Sequence, residues 1–139
     1  MIRSLPPANE RADLRSDPGP TEPVLDPERL DVFRVAPQFE SLATSFRFPR
    51  GQSALRDHLD RASASTALNI AEAAGRVSSP DRSHFFAIAR GSANECAAIV
   101  AILAARGVVD QRTARRARSL LVRVVQMLTK LITRAPALP

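Results

Sequence analysis

A chain of 139 residues has room for one domain with a modest hydrophobic core. Its single cysteine, Cys96, excludes an internal disulfide and a multi-cysteine zinc site, and the neighbouring alanines predict a small buried apolar residue there. No apolar run approaches the ~20 residues that a bilayer-spanning helix needs, and the N-terminus lacks the basic-then-apolar order of a secretory signal. The composition therefore predicts a cytoplasmic protein that does not contact a membrane.

The charges separate along the chain. Residues 1–40 contain five arginines and eight carboxylates, whereas residues 41–139 contain fifteen basic residues and six carboxylates. Nineteen of the twenty basic residues are arginine, whose planar guanidinium can bind a phosphate through two parallel hydrogen bonds. The separation predicts either a polyanionic partner or self-association through parts of opposite charge.

The N-terminal segment, residues 1–26, is acidic and rich in proline. We expect a disordered leader there, because the segment could bury too little apolar surface to offset its ordering entropy. Asp26 followed by Pro27 predicts a helix start, with Asp26 as the cap and Pro27 at the first helical position. Pro37 should kink or split this first helix, and Pro49 lies in the segment that ends it.

A second helix is predicted from Gln52 to about Gly75, because small and apolar residues recur there at steps of three and four. We expect its inner face to consist of Leu55, Leu59, Ala62, Thr66, Asn69 and Ala73. The third helix should have Ser79 as its cap, Pro80 at its first position and Gly107 just past its end. Its expected inner face consists of Phe85, Ile88, Gly91, Ser92, Glu95, Ile99, Ile102 and Leu103.

Asp110 is the predicted cap of a fourth helix, from Gln111 to about Thr133, which has the clearest amphipathic pattern in the chain. Its predicted buried stripe is Leu121, Val124, Val125, Leu128, Leu131 and Ile132. The connections on both sides of the third helix are short, so the last three helices should be antiparallel neighbours. The sequence thus predicts an all-α, antiparallel up-down four-helix bundle over residues 27–134, with the leader before it and a tail, residues 135–139, after it.

Basic residues crowd the fourth helix. Residues 105–139 contain eight of them and one carboxylate, Asp110. Arginines one turn apart repel each other by about a few tenths of a kcal/mol unless an anion is bound. A solvated face, a phosphate-binding face and a contact for an acidic protein all fit this pattern.

The chain has no Trp or Tyr for base stacking, so a nucleic acid would be bound through its backbone and in a salt-sensitive way. The residues that we assign to such binding are Arg112, Arg115, Arg116, Arg123 and Lys130.

Polar side chains also occur on or near the expected inner faces of helices two and three. Charges in a small core are costly unless they are paired, so we predict a structural network of cross-helix Arg–Glu and Asn–Ser contacts. Two glutamates on facing helices do not make a di-metal bundle, which needs four carboxylates and two Glu-x-x-His pairs, and we predict no metal or other cofactor. The network residues are Asn69, Glu72, Arg76, Arg90, Ser92 and Glu95.

Catalytic patterns are missing from the sequence. No serine or cysteine is placed with a base and an orienting acid, and no glycine-rich phosphate loop occurs. His58 and His84 are predicted to lie at the surface or at an interface. The sequence therefore predicts that the protein is not an enzyme.

Two stretches, about twenty residues apart, resemble the signatures of a family of bacterial four-helix-bundle proteins. They are Asn69-Ile70-Ala71-Glu72-Ala73-Ala74-Gly75-Arg76 and Phe86-Ala87-Ile88-Ala89-Arg90-Gly91-Ser92-Ala93-Asn94-Glu95. The family is named for members encoded in intervening sequences of 23S ribosomal RNA genes, and it includes the accessory variability determinant of diversity-generating retroelements. The likeness covers roughly Leu30 to Ile132. The chain departs from the pattern at Ala73, where the family usually has glycine, and at Pro37.

The resemblance implies an up-down bundle that assembles as a ring-like homopentamer with a basic surface and has a nucleic-acid-associated role without enzymatic activity. For the retroelement branch it implies binding to a reverse transcriptase and its template RNA. Our leading hypothesis is therefore a homo-oligomeric, non-enzymatic accessory protein that binds RNA or DNA phosphates. The alternative is an interaction scaffold whose arginines contact an acidic protein partner, such as a reverse transcriptase complex, or the chain's own leader.

Overall fold

The computed structural model describes residues 23–134, so the predictions for residues 1–22 and 135–139 lie outside the described residues. Packing follows the order of the chain: α2 lies against α3, α3 against α4, and α1 against both α2 and α4. This closed arrangement confirms the predicted all-α four-helix bundle. The elements are a 3₁₀ turn, Asp26–Arg29, followed by α1 (Asp31–Thr44), α2 (Ser53–Gly75), α3 (Ser79–Ala105) and α4 (Gln111–Thr133).

The first α-helix begins later than predicted. Asp26 begins a short 3₁₀ turn, which is closed by the Glu28 carboxylate accepting the backbone N–H of Leu25 at 2.7 Å. Leu30 then has an extended backbone, with φ −95° and ψ 125°, and α1 starts at Asp31. The acid-and-proline signal was correct for a helical turn but wrong for the start of an α-helix.

Of the two effects predicted for Pro37, a kink or a split, the split is wrong, because α1 continues through Pro37 from Asp31 to Thr44. A proline has no N–H to donate to the carbonyl four residues earlier, here that of Phe33. Pro37 lies on the exposed side of α1, where water can bond this carbonyl. The neighbouring Ala36 and Phe39 are buried in the core and hold both halves of the helix in place.

The core confirms most of the pattern predicted for α2 and α4. In α4, Leu121, Val124 and Leu128 are buried, and the other three predicted residues are partly buried. In α2, Ile70 occupies the core where Asn69 was expected. The remaining buried α2 residues are Leu59, Ala62, Ser63, Thr66 and Ala73.

The predicted inner face of α3 is partly wrong. Ile99 and Leu103 are buried as expected, but Gly91 and Glu95 are exposed, and Ile88 and Ile102 are 39% and 41% exposed. Apolar residues occur on every side of this helix, so their spacing does not identify the side that packs. In the middle of this helix the side that packs carries small residues, Ala89, Ala93 and Cys96, which let the neighbouring helices approach closely. The buried residues of α3 are Phe86, Ala89, Ala93, Cys96, Ile99, Val100 and Leu103.

One described helix, α3, is long and apolar enough to cross a membrane by length and composition alone. Its most apolar 18-residue window has a mean hydropathy of 1.4. The prediction that no apolar stretch approaches the length of a bilayer-spanning helix is therefore wrong for α3. Alanines and isoleucines raise this average. In the bundle, α3 packs against both α2 and α4, and 39% of that window is buried.

Both ends of α3 are capped. The cap at the start is Ser78, one residue before the predicted Ser79, and its Oγ accepts the backbone N–H of Asp81 at 3.3 Å. At the other end, Gly107 has φ +73°, a conformation that favours glycine. The backbone N–H of Val108 then bonds to the Leu103 carbonyl at 2.9 Å, which confirms the predicted stop.

Candidate nucleic-acid interface

The start of α4 is fixed by Asp110. Its carboxylate accepts hydrogen bonds from the backbone N–H of Thr113 at 2.7 Å and from the Thr113 hydroxyl at 3.0 Å. These bonds hold the pKa of the Asp110 carboxyl below its usual value. The predicted cap is confirmed, and it fixes the point at which α4 begins.

A stripe of four cations follows the solvent side of α4: Arg112, Arg116, Arg123 and Lys130, all exposed. Steps of four, seven and seven residues keep them on one face, opposite the buried stripe. The stripe is about 27 Å long at ~1.5 Å per residue. No Asp or Glu occurs between residues 111 and 133, and none of the ion pairs within residues 23–134 involves an α4 side chain.

Arg115, the fifth residue assigned to binding, lies beside this stripe. It lines a groove between α3 and α4 together with Arg118 and an apolar wall of alanines that includes Ala101 and Ala104. The structure therefore brings four of the five predicted residues onto one face and places Arg115 at the flank facing α3.

The basic surface extends beyond the predicted residues at the end of α4. Arg134 follows Lys130 by one turn, and both line a cavity of about 330 Å³ together with Arg29 from the 3₁₀ turn. The four-residue step from Lys130 could have identified Arg134. The contribution of Arg29 depends on how α1 packs against α4, which the spacing along one helix does not show.

Three members of the predicted polar network, Asn69, Ser92 and Arg90, take part in hydrogen bonds that link the helices. The hydroxyls of Ser65 and Ser92 are 2.8 Å apart and join α2 to α3. Asn69 bonds to the Ser65 hydroxyl and carbonyl rather than directly to Ser92. Arg90 donates from Nε to the Thr129 hydroxyl at 2.9 Å and joins α3 to α4. The expected Asn–Ser contact is thus relayed through a second serine.

The charged members do not form the predicted cross-helix Arg–Glu pair in the core. Glu72 accepts from Arg76 on the same helix at 2.6 Å, near the surface. Glu95 lies 3.9 Å from His58, with both side chains about half exposed. The prediction was wrong because Glu95 lies on the outer side of α3. A surface pair of this kind contributes about 0–1 kcal/mol, well below the cost of breaking a buried pair.

The remaining side chains that could take part in catalysis or metal binding do not form a cluster within residues 23–134. Cys96 is buried, and burial raises the pKa of its thiol to about 12, so it is protonated at neutral pH and poorly nucleophilic. His58 and His84 are exposed, as predicted. Within residues 23–134, no three His, Cys, Asp or Glu side chains lie close enough together to hold a metal ion.

Comparison with known proteins identifies a family. Comparison with curated proteins gives no match. The sequence model for the 23S rRNA-intervening sequence protein matches residues 28–130, from the 3₁₀ turn to the last turn of α4. The match reaches all four helices and includes the whole cationic stripe. The chain belongs to the family of 23S rRNA-intervening sequence proteins.

Proposed function

We propose that this protein is a non-enzymatic, homo-oligomeric accessory protein that binds RNA or DNA through the phosphates. The cationic stripe on α4 carries this proposal. Four exposed cations follow one face of a rigid helix that contains no carboxylate. The name of the family, which refers to ribosomal RNA, supports a nucleic-acid-related role.

The chemistry of the stripe favours contact with the backbone over contact with bases. Guanidinium groups form forked, charge-assisted hydrogen bonds to phosphate oxygens, and these contacts carry no sequence information. An α-helix can read bases in a major groove, but the side chains that usually do so include Asn and Gln beside Arg. On this face of α4, Gln126 is the one amide side chain. We therefore expect binding that tolerates changes of sequence.

Fluorescence anisotropy on labelled duplexes of unrelated sequence tests the proposal. The protein should bind RNA and DNA duplexes at low salt, with affinities that differ by less than about tenfold between sequences. No binding at low salt would contradict the proposal. Binding to an acidic protein but to no nucleic acid would instead support the interaction scaffold.

The proposed oligomer needs a contact surface, and the exposed sides of α2 and α3 carry large apolar residues that suit one. Leu68 is 68% exposed, and Ile88 and Ile102 are also exposed. Leu68 and Ile88 each lie one turn from the paired hydroxyls of Ser65 and Ser92, so they are neighbours on this face. Val108 and Val109, in the α3–α4 connection, do not serve this role, because Val109 is buried and Val108 half-buried.

Light scattering should give a mass several times the 15.1 kDa of one chain, and five times that mass for the pentamer that the resemblance implies. Leu68→Arg combined with Ile88→Arg should lower the mass, because it places two charges in an apolar contact. Val77→Arg is the control, since Val77 is exposed in the α2–α3 connection. A parent protein that is monomeric at micromolar concentration would rule out the oligomer.

A further inference from the structure

We propose that a cleft at one end of the bundle binds the terminal phosphate of a nucleic-acid strand. The cleft has a volume of about 590 Å³ and is lined by four arginines: Arg29, Arg76, Arg82 and Arg134. They come from the 3₁₀ turn, the end of α2, the first turn of α3 and the end of α4. This inference rests on the proposed function, because the cationic stripe delivers the strand to the cleft.

Two of these arginines are held in place by the protein. Arg76 donates to Glu72 and lies 4.6 Å from the centre of the Phe85 ring. Arg82 donates to the carbonyls of Arg76 and Val77 at 3.3 and 3.0 Å. These bonds fix two guanidinium groups at the cleft before a ligand arrives, which lowers the ordering entropy lost on binding.

The other two arginines have no comparable role. The side chains of Arg29 and Arg134 are exposed, and within residues 23–134 neither forms an ion pair or a hydrogen bond to another side chain. Capping of helix ends explains Arg82, whose bonds cover carbonyls at the end of α2. It does not explain four arginines around one cleft, because the carboxylates there are fewer: Asp26 in the lining and Glu72, which is paired with Arg76.

The shape and charge of the cleft suit a terminal phosphate better than an internal one. A phosphomonoester carries about −1.5 to −2 charge at neutral pH, whereas an internal phosphodiester carries about one negative charge. A cleft of this volume can hold a nucleotide. Leu30, Phe86 and Leu131 give it an apolar wall on which the last sugar and base can rest. Lys130 and Arg134 connect the cleft to the α4 stripe.

The test uses the full-length protein and three oligonucleotides of one sequence, with a phosphate at the 5′ end, at the 3′ end or at neither end. We expect one phosphorylated form to bind roughly tenfold more tightly than the unphosphorylated form, as one added charge-assisted contact would give. Arg29→Gln combined with Arg134→Gln should remove this preference and retain the weaker binding. Arg56→Gln combined with Arg61→Gln is the charge-matched control, on exposed positions of α2, and should keep the preference.

Three other outcomes would each overturn a different part of the proposal. Equal affinity of the parent for all three oligonucleotides would overturn the terminal-phosphate site and leave the proposed function standing. No binding of any oligonucleotide would overturn both. Competition by adenosine 5′-monophosphate but not by adenosine, without any preference among the oligonucleotides, would show a site for free phosphomonoesters and overturn the strand-end assignment.

Discussion

Replacing Arg112, Arg116 and Arg123 together with glutamine should lower the affinity for a nucleic-acid duplex by roughly ten- to a hundredfold at low salt. Each arginine contributes one charge-assisted phosphate contact, and glutamine retains the length and helix propensity without the charge. All three side chains are exposed, so the bundle should stay folded. Fluorescence anisotropy gives the affinity, and circular dichroism shows that the helices are intact.

The matched control removes the same charge elsewhere. Arg50, Arg56 and Arg61 are exposed in the α1–α2 connection and in α2. Their triple replacement with glutamine changes the net charge equally but leaves α4 intact, so binding should weaken far less. If both triple variants bind alike, net charge rather than the α4 stripe determines affinity. If the parent and the α4 triple variant bind with equal affinity, the interaction scaffold becomes the better hypothesis.

Leu128→Ala should lower the free energy of unfolding by about 3 kcal/mol, within the ~2–5 kcal/mol range for a leucine truncated in a core. Leu128 has no exposed surface and is the last of the four buried residues of α4. For a domain of this size, such a loss lowers the melting temperature by roughly 10–25 °C. Thermal unfolding followed by circular dichroism measures it, since the chain has no Trp or Tyr for intrinsic fluorescence.

The same truncation at an exposed leucine is the control for this experiment. Leu25→Ala, at a residue that is 70% exposed, should change the free energy of unfolding by less than about 0.5 kcal/mol. The buried Cys96 thiol gives an independent measurement, because it should react with a thiol reagent faster in Leu128→Ala than in the parent. Equal melting of the two variants would contradict the described core.

The sequence was sufficient for α4 and insufficient for α3, for a physical reason. In α4, charged and apolar residues alternate with helical periodicity, so the stripe of Arg112, Arg116, Arg123 and Lys130 could be placed before the structure was known. In α3, apolar residues occur all round, and the side that is buried is the one with Ala93 rather than the one with Ile88. The wrong rotation of α3 moved Glu95 into the expected core and led to the wrong ion pair.

The cleft at the end of the bundle shows a second limit of prediction from the sequence. Arg29, Arg76, Arg82 and Arg134 are spread over more than a hundred residues of sequence and come from four separate segments. Each fits an ordinary role near a helix end when it is considered alone. Their convergence is a property of how the helices pack, and the spacing of residues along one helix does not reveal it.

The salt dependence of duplex DNA binding tests the central claim most directly. If the five assigned cations each neutralise one phosphate, the logarithm of the association constant should fall with the logarithm of salt concentration with a slope of about −4.5, at ~0.9 per phosphate. The triple replacement of Arg112, Arg116 and Arg123 should reduce the slope to about −1.8. A parent slope near zero, or the same slope in the parent and this variant, would show that the α4 stripe does not bind phosphates.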